Sequence, residues 1–165
     1  MRILVLGLGN DLYGDDGVGL HAVRRLEASW PGPDLRRPGP PPDVEFRESL
    51  LSGAALLDVV AGWDALVIID TIIPERAVPG RTRILDEADI RDVPGPSPHY
   101  ISVPQTMAIG RAAGLAMPRT VKIVAVEAEG PFRLGEGLSA EMSARLPGIV
   151  AEARRAVEDL AARPA

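Results

Sequence analysis

The first twenty residues constrain the fold of this chain more than any other stretch. Arg2 to Leu6 is a branched and largely apolar run, which predicts a buried β-strand. Gly7 and Gly9 break the strand, and the turn at 15–17 (Asp-Asp-Gly) precedes helical spacing from Val18. Open α/β sheets bind their ligands where a strand ends in such a loop. The two adjacent carboxylates therefore make this loop the first candidate for a functional site.

The rest of the chain alternates between predicted strands and helices. The patterns predict strands at 44–48, 65–70, 81–85 and 120–126 and helices at 18–26, 50–60, 102–114 and 138–160. Pro147 either kinks the last helix or begins a new one, and Ser102 with Gln105 predicts a capping box. This order predicts a single domain over residues 1–165. It is a three-layer α/β sandwich with a mostly parallel, twisted, five-stranded sheet, helices on both faces and one antiparallel edge strand at 81–85.

Composition narrows the classes of function. The chain has 165 residues, no Cys and a net charge of −5, which exclude disulfides and thiolate metal sites and disfavour a nucleic-acid partner. No apolar run reaches the ~18 residues of a membrane span. We expect a cytoplasmic protein that binds no membrane, with a monomer as the default state.

Three polar groups are predicted to meet at one edge of the sheet. Asp15 or Asp16 follows the first strand, Asp70 ends the third, and His99 lies on a Pro-rich turn before a helix. The carboxyl ends of the first and third strands can be neighbours in a doubly wound sheet, so Asp16 and Asp70 could converge. Two carboxylates and an imidazole suit Zn, Ni, Fe or Mn, and three protein ligands leave positions open for water or substrate.

Each of these residues also has a simpler interpretation. Asp16 could cap the first helix, Asp70 could cap the turn after its strand, and His99 could be a loop histidine without a ligand. The other histidine, His21, has the pattern of a structural or solvated helix residue. A dinucleotide site is disfavoured because Leu12 stands where the third glycine of G-x-G-x-x-G belongs.

The opening motif resembles that of the [NiFe]-hydrogenase maturation endopeptidases. The resemblance rests on Ile-Leu-Val-Leu-Gly-Leu-Gly-Asn at 3–10, Asp-Asp-Gly-Val-Gly at 15–19, Leu-Val-Ile-Ile-Asp at 66–70 and Ser-Pro-His at 97–99. It extends through Gly-Glu-Gly-Leu-Ser at 135–139 and the helix after it.

The resemblance implies an activity and a set of site residues. Members of that family cut the C-terminal extension from the precursor of the hydrogenase large subunit after nickel insertion, as aspartic-type endopeptidases. Their nickel-recognising and catalytic positions correspond to Asp16, Asp70 and His99. The resemblance further implies that nickel is supplied by the substrate.

Two departures and two rival interpretations stay open. Some members carry Glu where this chain has Asp16, and Asp15 beside it leaves the choice of carboxylate open. The Gly- and Thr-rich turn that members often have after the second strand is reduced to Gly53.

The rivals are a nickel escort protein that binds the precursor without cutting it, and a peptidyl-tRNA hydrolase, which shares Gly-Leu-Gly-Asn but needs a His where Asp15 and Asp16 stand.

Overall fold

Five strands form one mixed sheet in the order β2-β1-β3-β5-β4. The structure is a computed structural model that describes residues 1–31, 43–89, 102–135 and 137–162. The bounds are β1 Arg2–Leu8, β2 Asp43–Ser49, β3 Ala65–Ile72, β4 Thr82–Asp86 and β5 Thr120–Glu127. Neighbouring strands run parallel except β4, which pairs antiparallel with β5 at the edge. The predicted mostly parallel sheet with one antiparallel edge strand is confirmed.

The helices cover both faces of the sheet. Helices α1 (Val18–Ala28) and α4 (Ala140–Ala161) pack on one face, and α2 (Leu57–Val60) and α3 (Val103–Ala112) pack on the other. Short 3-10 turns at Gly14–Gly17 and Gly53–Leu56 lead into α1 and α2. In the part of the chain that the structure describes, no helix is both long and apolar enough to cross a membrane.

The two sides of the central strands are buried in separate aliphatic cores. Ile3 and Val5 of β1 face the core under α1 and α4, while Leu4 and Leu6 face the core under α2 and α3. Since both faces are covered, the strands read as continuous apolar runs. This burial explains why β1, β3 and β5 were the clearest predictions from sequence.

The structure refines three predictions about the elements. The segment 50–60 is not one helix, since Leu50 and Leu51 lie outside α2 and are exposed. Pro147 lies inside a single helix, α4, and does not begin a new one. The predicted capping box is present, with the Ser102 hydroxyl accepting from the backbone N–H of Gln105 and the side chain of Gln105 accepting from the backbone N–H of Ser102.

A buried carboxylate attaches the edge strand to the rest of the sheet. The Glu127 side chain, at the end of β5, is fully buried and accepts hydrogen bonds from Arg81 Nε at 2.8 Å and Arg83 Nε at 2.9 Å. It also accepts from the backbone N–H of Val78 at 2.9 Å. A buried carboxylate is tolerated when it is paired and hydrogen-bonded in this way. Glu127 thereby fixes the start of β4 beside β5.

The first helix lies unusually close to the ends of the central strands. A Cβ atom added at Gly19 would lie 2.2 Å from the carbonyl oxygen of Leu8 and 2.4 Å from that of Ile69. A Cβ atom added at Gly7 would lie 2.3 Å from the carbonyl oxygen of Gly19. Only glycine at both positions permits this backbone contact, and it carries the loop before α1 onto the carboxyl edge of the sheet.

We expect Gly19→Ala and Gly148→Ala to change stability in opposite directions, although both glycines lie in helices. Gly19→Ala forces α1 away from two strands and should cost more than about 2 kcal/mol of unfolding free energy. Gly148 of α4 is exposed and has no atom near its added Cβ, so its change to Ala should add about 0.5–1 kcal/mol. Urea denaturation of the two variants measures both effects. A stabilised Gly19→Ala protein would contradict the close packing.

Candidate functional site

The opening loop is folded tightly around its glycines. Gly9 has φ +137°, and a Cβ atom there would lie 1.9 Å from the carbonyl oxygen of Asp16. The backbone N–H of Tyr13 donates to the Asn10 carbonyl at 3.0 Å, and that of Asp16 donates to the Tyr13 carbonyl at 3.3 Å. These contacts place Asp16 against the end of β1, with little room for the loop to shift.

Asp16 and Asp70 are linked through one residue of β3. The Thr71 hydroxyl donates to Asp16 Oδ1 at 3.2 Å, and the Thr71 backbone N–H donates to Asp70 Oδ1 at 2.8 Å. The pairing of β1 with β3 ends at Ile69, so Asp70 is the first residue of β3 beyond the β1 ladder. β3 itself continues to Ile72, two residues past the predicted strand end. Asp70 therefore lies within β3, at the edge that β1 leaves open.

The two carboxylates line one cleft of about 560 Å³. One wall comes from the opening loop and contains Asn10, Tyr13 and Asp16; we call it the loop wall. A second wall follows β2 in the chain and contains Leu50, Leu51 and Ser52; we call it the leucine wall. Asp70 lines the same cleft, and the exposed side chains of the leucine wall give it an apolar margin.

The neighbouring carboxylate, Asp15, has a different partner. Asp15 Oδ1 accepts from the backbone N–H of Ser139 at 2.7 Å, and Asp15 Oδ2 accepts from the Ser139 hydroxyl at 2.9 Å. Ser139 is the N-cap of α4. Neither Asp15 nor Asp16 caps α1, whose N-cap is Gly17 and has no side-chain hydrogen bond. The helix-cap interpretation of Asp16 is therefore wrong, and the two aspartates serve different contacts.

Of the two cleft carboxylates, Asp70 lies in surroundings that disfavour its ionised form. Burial raises the pKa of Asp70 to about 6, the hydrogen bond from Thr71 opposes that shift, and the negative charge of Asp16 adds to it. Desolvation disfavours the charged form of an acid, and a like charge nearby disfavours it further. Asp70 can therefore exchange a proton near neutral pH.

The third predicted site residue, His99, lies outside the described residues. Among the described residues, no group of three or more His, Cys, Asp or Glu side chains is arranged to hold a metal ion. His21 does not line the cleft; its Nε2 atom lies 3.4 Å from Asp11 Oδ1 on the outer side of the opening loop. The structure thus brings Asp16 and Asp70 together and assigns His21 to another contact.

Sequence reasoning missed Thr71, which contacts both carboxylates. The sequence signal for Thr71 was its position directly after Asp70. Side chains alternate along a strand, so the side chain of Thr71 points to the face opposite that of Asp70. Thr71 follows Val67 and Ile69 on the face of the sheet that packs against α1. This is the face from which Asp16 approaches.

Comparison with proteins of known structure matches this fold to the hydrogenase maturation proteases. The hydrogenase maturating endopeptidase HybD from E. coli superposes with a TM-score of 0.73 at 27% identity, covering 96% of this chain and 93% of that one. The [NiFe] hydrogenase maturation protease HybD from Thermococcus kodakarensis gives a TM-score of 0.60 at 26% identity, covering 94% and 99%. The architecture is therefore that of an α/β maturation protease.

Comparison with curated sequences identifies the family. The hydrogenase 2 maturation protease of Escherichia coli strain K12 is 31% identical over 128 residues, which cover 76% of this chain and 73% of that protein. The hydrogenase expression/formation protein HoxM of Azotobacter vinelandii is 27% identical over 165 residues, covering 98% and 73%. No protein-family model matches the chain. This chain belongs to the hydrogenase maturation protease family and is a peptidase.

We expect Asp70→Asn to stabilise the metal-free protein at neutral pH and to have little effect in acid. The pKa of Asp70 is raised from 3.8 to about 6 on folding. The contribution of Asp70 to the free energy of unfolding therefore falls as pH rises from 3.8 to about 6, whereas an uncharged Asn contributes the same at every pH. The gain above pH ~6 should be about 3 kcal/mol, or roughly 6–12 °C in Tm. Thermal denaturation with a chelator, from pH 4 to pH 8, measures it.

Glu127→Gln is the control with the opposite sign. Hydrogen bonding from Arg81, supported by Val78 and Arg83, lowers the pKa of Glu127 from 4.5 to about 2. The contribution of ionised Glu127 to the free energy of unfolding is complete above pH ~4.5 and is lost as pH falls towards ~2. Glu127→Gln should therefore destabilise the protein at neutral pH, with an effect that fades in acid. A gain from Asp70→Asn that did not change with pH would contradict the raised pKa.

Proposed function

We propose that this peptidase removes the C-terminal extension of the [NiFe]-hydrogenase large subunit precursor after nickel insertion. Asp16, Asp70 and His99 are proposed to contact the nickel that the precursor carries. The observation that supports this most is the shared cleft of Asp16 and Asp70, in a chain related to hydrogenase maturation proteases. We further propose a monomeric, cytoplasmic protein in which residues 1–165 form one domain.

The chemistry of the donor set fits a divalent cation carried by the substrate. Asp70 is desolvated and lies near the negative charge of Asp16, so a cation would relieve an unfavourable burial of charge. Carboxylate and imidazole ligands suit nickel. His99 lies outside the described residues and is included because Ser-Pro-His at 97–99 resembles the motif of the family. When bound, the precursor's nickel supplies a fixed positive anchor beside the segment to be cut.

The carboxylates of this chain can also handle protons. Asp16 Oδ1 accepts a hydrogen bond from the Thr71 hydroxyl. Asp70, whose pKa is raised to about 6, can carry a proton at a pH close to that value. An acid whose pKa lies close to the working pH can take a proton from an attacking water or give one to a leaving group. A pair of cleft carboxylates in which Asp70 can carry a proton is the basis for proposing aspartic-type chemistry.

The leucine wall is suited to a polypeptide substrate. Leu50 is 68% exposed and Leu51 is 47% exposed, directly beside the polar groups of the cleft. Apolar surface beside a few convergent polar groups is typical of binding sites. We propose that side chains next to the cleavage site pack against this wall, while the nickel is held by the carboxylates.

The decisive experiment compares nickel-loaded and nickel-free precursor. Incubation with the wild-type protein should shorten only the loaded large subunit, as measured by intact-protein mass spectrometry. Asp16→Asn, Asp70→Asn and His99→Ala should each lower cleavage by more than about 100-fold. The folds of the two Asn variants should be retained, because Asn is nearly isosteric with Asp and neither Asp16 nor Asp70 belongs to the two apolar cores.

Asp15→Asn is the control for these variants. Asp15 contacts Ser139 and not the cleft, so its change should be milder than that of Asp16. Equal losses from the two variants would show that both carboxylates take part. Binding of the loaded precursor without any shortening would instead support the escort function.

A second prediction concerns Thr71. Thr71→Val removes the hydroxyl that donates to Asp16 but keeps the backbone N–H that donates to Asp70. Loss of one such hydrogen bond, worth about 1–1.5 kcal/mol, should lower kcat roughly tenfold. Thr71→Ser retains a hydroxyl and should recover most of the rate. Equal activity of the Val and Ser variants would exclude a role for the hydroxyl.

A further inference from the structure

An ion-pair network connects the two walls of the cleft from outside the cleft. Arg24 of α1 donates from Nε to Glu48 Oε1 at 2.8 Å, and from Nη2 to Glu48 Oε2 at 2.5 Å and Asp11 Oδ2 at 2.8 Å. None of these three residues lines the cleft. The function proposed above uses none of them.

On one side, the network holds the loop wall. Asp11 follows Asn10 directly, and its carboxylate lies against Gly17, the residue after Asp16. A Cβ atom on Gly17 would lie 2.7 Å from Asp11 Oδ1. The Asp11 carboxylate is therefore wedged between Arg24 and the turn that carries Asp16, so a shift of Asp11 would be transmitted to that turn.

On the other side, the network holds the leucine wall. Glu48 is the second-last residue of β2, and the next residue, Ser49, is buried. The Ser49 hydroxyl accepts from the backbone N–H of Leu51 at 3.0 Å. The position of Glu48 is thus passed through one buried residue to the wall that contains Leu50 and Leu51.

The geometry makes this network stronger than an ordinary surface ion pair. The side chains of Arg24, Asp11 and Glu48 are 44%, 39% and 37% exposed, so an isolated pair here would contribute little. A guanidinium that forks onto one carboxylate and also reaches a second is the exception, because its planar donors fix direction as well as distance.

We propose that Arg24 is a positioning residue that sets the separation of the loop wall and the leucine wall. Its effect on catalysis rests on the function proposed above; its effect on the two walls does not. Arg24 would act through Asp11 on the carboxylate side and through Glu48 on the side that receives the apolar part of the substrate.

Hydrogen exchange tests the network without reference to activity. In Arg24→Met, amides of residues 10–16 and 49–53 should exchange at least about tenfold faster, while those of β3 and β5 should not change, because only local opening is made easier. Arg24→Lys keeps the charge but loses the fork and should show a smaller increase. Arg25→Met is the matched control, since Arg25 is its neighbour in α1 and has no side-chain hydrogen bond or ion pair within the described ranges.

The outcomes of the exchange experiment separate positioning from general stability. Faster exchange confined to the two walls supports the proposal. Unchanged exchange in the walls overturns it, and so does an equal increase in the walls and in β3 and β5. A wild-type protein that failed to cut the precursor would refute the proposed function and leave this result unaffected.

The network has two arms, the contact of Arg24 with Asp11 and the contact of Arg24 with Glu48. In the cleavage assay, the two arms should affect different kinetic parameters. Asp11→Asn should lower kcat about tenfold with little change in KM, because it displaces the turn that carries Asp16. Glu48→Gln should raise KM by a similar factor with little change in kcat, because it displaces the leucine wall. The same pattern of kcat and KM in both variants would overturn the assignment of one arm to each wall.

Discussion

The position of the site depends on the contact between α1 and the ends of β1 and β3. Gly19 brings the first turn of α1 against the carbonyls of Leu8 and Ile69, closer than any side chain would allow. Asp16 precedes Gly19 by three residues, so the same contact delivers its carboxylate to Thr71. Backbone packing therefore fixes the polar site. The glycines of the opening motif serve this close approach, as distinct from the phosphate contact that a dinucleotide fold makes with similar glycines.

The site combines two carboxylates in unequal environments. The Thr71 hydroxyl donates to Asp16 and the Thr71 backbone N–H donates to Asp70, yet burial still raises the pKa of Asp70 to about 6. Asp70 occupies a strand position that β1 no longer covers, and this is why it is open to the cleft. A proton or a cation would each relieve the unfavourable charge. Binding of metal by these groups and uptake of protons should therefore compete.

The sheet could be predicted from sequence because β1, β3 and β5 are buried on both faces and leave continuous apolar runs. The same signal located Asp70 and the opening loop. It failed over 50–60, where Leu50 and Leu51 fit helical spacing but are exposed at the cleft. A prediction from apolar periodicity assumes that such residues face a core, and this assumption fails where apolar residues line a binding surface. Sequence also left open the choice between Asp15 and Asp16, because adjacent residues in a turn are separated only by tertiary contacts such as those of Ser139 and Thr71.

Three sets of contacts, made by residues that are far apart in the sequence, hold the opening loop. Gly9 and Gly17 allow it to pack on itself, Arg24 ties its outer side to β2, and Ser139 ties Asp15 to the start of α4. The Ser139 hydroxyl donates to Asp15 while accepting from the Met142 backbone N–H, so one residue begins the last helix and anchors the first loop. A carboxylate held this way needs little rearrangement when charge develops beside it, and preorganisation of that kind supports catalysis. Asp15 is therefore best understood as a support for its neighbour, which explains why two adjacent aspartates occupy a turn where one would suffice to face the cleft.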